Sequence, residues 1–69
     1  MIRYFFDFVG PAGSQYDYHG RVFKTPEQAR GFAELIALDF GIESQPEWLS
    51  VQVRSAIGEL FFSVAVRPV

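Results

Sequence analysis

At 69 residues the chain is a single domain near the lower limit of what folds alone, and its 49% hydrophobic content, with eight Phe, three Tyr and one Trp, has to supply a dense core. It contains no cysteine, which excludes disulfides, thiolate metal sites and cysteine redox chemistry. A formal charge of −2 argues against generic attraction to nucleic acid or anionic membrane, and no apolar run approaches the roughly 20 residues of a membrane span.

From Ile2 to Val9 the chain alternates Ile2, Tyr4, Phe6, Phe8 with Arg3, Phe5, Asp7, Val9, which predicts a strand with one wholly apolar face. Its start, Met1-Ile2-Arg3 followed by an aromatic run broken at Asp7, does not read as a secretory signal, so a cytoplasmic location is expected. Gly10 to Ser14 should end that strand, because Pro11 lacks a donor and glycine permits turn dihedrals. Tyr16 and Tyr18 suggest a short second strand, although Asp17-Tyr18-His19-Gly20 also reads as a turn before Val22 and Phe23.

Thr25-Pro26-Glu27-Gln28 predicts a helix start. Thr25 serves as the cap, Pro26 stands where its missing N–H does no harm, and Gln28 closes a capping box. The helix then gathers Ala29, Phe32, Ala33, Ile36 and Phe40 into one stripe with Ala37 at its edge, and Gly41 is expected to end it. Leu35 and Leu38 fall off the stripe and are unaccounted for. Residues 42–47 read as a polar loop. Trp48 to Arg54 and Leu60 to Val66 alternate as the strands of a hairpin turning through Ser55 to Glu59, and Pro68 stops the last strand.

The expected fold is therefore α+β: a three- or four-stranded antiparallel sheet, β-β-α-β-β, with one helix packed on one face and the first strand in the centre. Alternation assigns Tyr4, Phe6, Phe8, Val51, Val53, Leu60 and Phe62 to the helix side. It assigns Phe5, Asp7, Trp48, Arg54, Phe61 and Arg67 to an outer side that no second helix covers. Phe5, Trp48, Phe61 and Arg54 are residue types enriched at interfaces, and they form the expected interaction surface, for a homodimer or for another protein. Single-stranded nucleic acid stacked on the same face is the alternative, disfavoured by the acidic balance.

Catalytic, metal and cofactor sites are not expected. His19 is the one histidine, lacks ligands at metal spacing, and stands in a turn; an acid/base role would require Asp7 or Asp17 beside it. Asp17 reads as a turn former, and Asp7, mid-strand, as a structural charge paired with Arg54 or Arg67. The serines lack a nucleophile-elbow context, and the glycines form no phosphate loop.

The opening R-Y-F-F-D, Arg3 to Asp7, resembles that of a family of short bacterial proteins classified only as a domain of unknown function. Asp17-x-x-Gly20, Ala29-Arg30, and Val51-x-Val53-Arg54 followed by Gly58-x-Leu60 are similar to further motifs of that family, with Thr25 in place of its usual acidic cap. The resemblance implies a compact αβ domain with no assigned activity or cofactor.

Overall fold

Strand β1 (Ile2–Gly10) is the centre of the sheet in the computed structural model, which describes residues 1–42 and 48–67. One edge of β1 pairs with β4 (Ser50–Ser55), and β4 with β5 (Leu60–Ala65). Along its other edge β1 pairs first with β3 (Arg21–Phe23) and then with β2 (Gly13–Gln15). All pairings are antiparallel, and α1 (Pro26–Ile42) crosses one face. The domain is α+β as expected, with five strands because the segment before the helix forms two short ones.

Three local expectations are corrected. Pro11 and Ala12 alone make the first turn, and Gly13 and Ser14 already belong to β2. Tyr16 and Tyr18 lie in the connection between β2 and β3, opposite the part of β1 that neither strand reaches. Gly41 is a buried residue within α1, whose last described turn reaches Ile42. Of the loop expected over 42–47, Glu43 to Glu47 lie outside the described residues, as does Pro68.

The helix begins as its sequence dictates. The Thr25 hydroxyl accepts the Gln28 N–H at 3.3 Å, and the Gln28 side chain returns to accept the Lys24 N–H at 3.1 Å. Its buried row is Ala29, Ala33, Ala37 and Gly41, at i, i+4, i+8 and i+12. These small residues let the helix backbone approach Val51 and Val53, which are fully buried beneath it. The large rings flank the row: Phe32 meets Phe6 edge-on at 5.2 Å, and Phe40 meets Phe8 at 4.9 Å. Leu35 and Leu38 remain exposed.

One irregularity changes the faces. Val53 pairs with Phe62 but Arg54 with Leu60, so Phe61 is an extra residue in a β-bulge. Leu60 thereby moves to the outer side with Arg54, and Phe61 turns to the helix side, its ring 5.0 Å from that of Tyr4. The hairpin turn follows from Ser55, whose carbonyl accepts the Gly58 N–H at 2.9 Å and whose hydroxyl accepts the Glu59 N–H at 3.3 Å. Gly58 there has φ +87°, which a side chain would resist.

Candidate functional site

Asp7 sits mid-strand on the outer face of β1, only 3% exposed, where an unpaired carboxylate would be costly. Arg54 resolves this from β4. Its Nε donates to Asp7 Oδ2 at 2.5 Å and one terminal nitrogen to Asp7 Oδ1 at 3.1 Å, the forked geometry available to a guanidinium. That terminal nitrogen also donates to the Asp17 carbonyl at 3.0 Å. The guanidinium lies over the Phe5 ring, 5.1 Å from its centroid. The hydrogen bond it donates to Asp7 holds Arg54 above its ordinary pKa, against the opposing effect of desolvation.

Asp17 fills the gap between β3 and β2 as a substitute strand. Its Oδ2 accepts the Phe6 N–H at 3.1 Å, a donor that no strand meets on this edge. Its Oδ1 accepts the N–H groups of His19 and Gly20, both at 3.0 Å, which folds the turn, and its own N–H donates to Asp7 Oδ1 at 3.0 Å. Partial burial pushes the Asp17 carboxyl up, but the hydrogen bonds from Gly20, Phe6 and His19 outweigh it and hold the group below its ordinary value. Gly20 has φ +72°, and a Cβ there would lie 2.9 Å from both Phe5 Cε1 and the Tyr4 carbonyl oxygen. Only glycine allows the connection to close this tightly over Phe5. Arg3 secures the same turn by donating to the His19 carbonyl at 2.7 Å.

The connection is thus pinned to the sheet, and its two tyrosines project from it. Tyr16, Asp17 and Tyr18 border, with Phe5 and Arg54, an open depression of about 390 Å³ on the outer side. Tyr18 is 82% exposed and Tyr16 56%. The remaining terminal nitrogen of Arg54 donates to no group among the described residues.

Of the four residues expected at an outer-face interface, Phe5 and Arg54 are brought together here. Trp48 and Phe61 are not. Trp48 precedes β4, where strand alternation no longer governs it, and its ring packs 5.6 Å from Phe8 on the helix side; Phe61 is turned away by the bulge. Tyr16 and Tyr18 take their place. The sequence signal for them was Asp7 itself, a charge in an aromatic strand that needed covering, and Asp17 set between two tyrosines.

Of the residues considered for acid/base work, Asp7 and Asp17 are committed to the network, while His19 borders an open depression together with Asp17. Every carboxylate oxygen of Asp7 and Asp17 accepts a hydrogen bond, and His19 contributes its backbone rather than its ring. Among the described residues no group of three or more His, Asp or Glu side chains is placed to hold a metal ion. Among the described residues no helix is long and apolar enough to cross a membrane. No protein-family model, curated protein or solved structure matches this chain.

Proposed function

We propose that this domain is a non-enzymatic interaction module that docks a protein partner on its outer sheet face, with Tyr16, Tyr18, Phe5 and Arg54 as anchors. The observation that carries the reading is the pair of exposed tyrosines held around Arg54 by the Asp7–Asp17–Arg54 network. Tyrosine and arginine are enriched among the few residues that carry most of the binding energy at protein interfaces, and a pinned backbone lowers the ordering cost of using them. Part of the motif set that suggests kinship with the R-Y-F-F-D family, namely Asp7, Asp17-x-x-Gly20 and Arg54, makes up this network, while Ala29-Arg30, Val51, Val53 and Gly58-x-Leu60 lie outside it. We place the protein in the cytoplasm, which suits a cysteine-free chain.

Single-stranded nucleic acid on the same rings is the weaker reading, because Asp7 and Asp17 offset the charge of Arg54. The test is affinity capture from the native host with the wild-type chain and with Tyr16→Ser/Tyr18→Ser, after nuclease treatment. A protein held by the first and released by the second supports docking. Identical captures from both chains, or capture abolished by nuclease, would overturn it.

A further inference from the structure

Helix α1 carries a second apolar line, turned away from the sheet. Leu35, Leu38 and Ile42 are each half or more exposed, and with Gly31 they recur at spacings of four, three and four residues. That is the spacing of the seam along which two helices wind together. It runs opposite Ala33 and Phe40, which pack into the core. Nothing within the domain calls for Gly31: a Cβ there would meet nothing within 4 Å apart from its own helix, and glycine inside a helix is less stable than alanine. What it permits is the close approach of another helix.

Carboxylates border the line on both sides. Glu27 and Glu34 take the position that flanks such a seam on one side, and Asp39 takes it on the other. All three are exposed, and among the described residues none is in an ion pair. The nearby arginines are engaged lower down: Arg30 lies over the Phe62 ring at 4.7 Å, Arg21 over the Phe32 ring at 4.6 Å, and Arg67 lines the groove between Leu38 and Val64. Asp39 also stands in the last described turn of α1, which holds no basic residue and where the helix dipole favours a cation. Charge therefore decides between occupants. Two copies of α1 wound together in parallel would oppose Glu34 to Asp39, and in antiparallel Glu34 to Glu34 and Asp39 to Asp39. A second copy is repelled in either orientation, whereas a helix with lysine or arginine at the flanking positions is matched.

We propose that the outward face of α1 docks an amphipathic helix of a different protein, one with an apolar seam at the same spacing and basic residues beside it. Leu35, Leu38 and Ile42 enter that seam, Glu34 and Asp39 pair with the flanking cations, and Gly31 sets the close approach. This face lies across the sheet from the Arg54 depression, so the proposal goes beyond the docking reading and does not depend on it.

Isothermal titration calorimetry with two designed helical peptides decides it. Both carry the same leucine and isoleucine seam over about three heptads, one flanked by lysines and the other by glutamates. The wild type is expected to bind the lysine peptide, more weakly as salt is raised, and not the glutamate peptide. Leu35→Ser/Leu38→Ser should weaken that binding about tenfold or more, and Glu34→Lys/Asp39→Lys should reverse the preference between the peptides. All four positions are exposed, so circular dichroism should show the fold unchanged. Tyr16→Ser/Tyr18→Ser should bind as the wild type does, which separates this face from the outer one. No binding of the lysine peptide, equal binding of both peptides, or binding indifferent to the serine and lysine variants would overturn the proposal. Sedimentation showing a wild-type dimer that the serine variant loses would also overturn it, by making a second copy the occupant. So would binding to phosphatidylcholine vesicles lost in the same variant, by making the line a lipid contact.

Discussion

Asp7→Ala removes the centre of the network that holds the outer face. It takes away the acceptor of three hydrogen bonds, two from Arg54 and one from the Asp17 N–H. What remains is a guanidinium with 30% of its side chain exposed, still bonded to the Asp17 carbonyl, and an amide without its acceptor. Breaking a buried ion pair by deleting one partner costs about 3–5 kcal/mol, and the partial exposure of Arg54 argues for the lower end, about 3 kcal/mol. A domain of 69 residues has a total stability of roughly 3–10 kcal/mol, so the loss is a large fraction of it. In a thermal melt it corresponds to a fall of about 12–24 °C. Arg54→Met leaves the more deeply buried charge, Asp7, with the Asp17 N–H as its remaining donor and should cost at least as much, about 3–5 kcal/mol. The double variant should cost clearly less than the sum, because each single change already strands the other partner. Urea and thermal unfolding of the four chains by circular dichroism complete the cycle. A loss under about 1 kcal/mol for Asp7→Ala, or strict additivity, would refute the assignment of this pair as the anchor of the site.

Gly20→Ala should cost about 2 kcal/mol or more, since it combines a left-handed backbone with a Cβ pressed against Phe5 and the Tyr4 carbonyl; unfolding midpoints unchanged from wild type would contradict the close approach. Asp17 is held below its ordinary value near 3.8, so its contribution to stability is fully present above that pH and is lost as the pH falls through the lower folded value. An acid titration of stability should therefore show a limb below about pH 4 that is reduced in Asp17→Asn. Ala33→Leu, in the buried helix row, should cost about 1–3 kcal/mol by forcing the helix off Val51 and Val53. A neutral substitution there would mean the row is not in close contact.

The parts of this structure legible in the sequence are those fixed by periodicity and by local capping chemistry. The two-sided apolar strand required a central position, and Thr25 to Gln28 carried a complete helix start. Asp7 was legible as a structural charge pairing across strands with Arg54 or Arg67, and the partner is Arg54; its burial was not legible, because the outer face read as uncovered. The two outer-face aromatics failed for separate reasons. One extra residue, Phe61, reverses the parity of the neighbouring position, since strand side chains repeat every two residues. Trp48 lies outside the strand whose alternation was applied to it. The role of Asp17 exceeded its local turn, because its bonds to Phe6 and Asp7 span 11 and 10 residues and no local pattern encodes them. Without those bonds Tyr16 and Tyr18 could not be placed beside Phe5 and Arg54.

The docking reading is tested most directly by the paired capture, with amide NMR spectra confirming that Tyr16→Ser/Tyr18→Ser keeps the wild-type fold. Both side chains are exposed and can be truncated without opening the core. The expected result is a host protein retained by the wild type and lost from the double variant. The same proteins recovered in the same amounts by both chains would contradict the claim that this face is where the domain works.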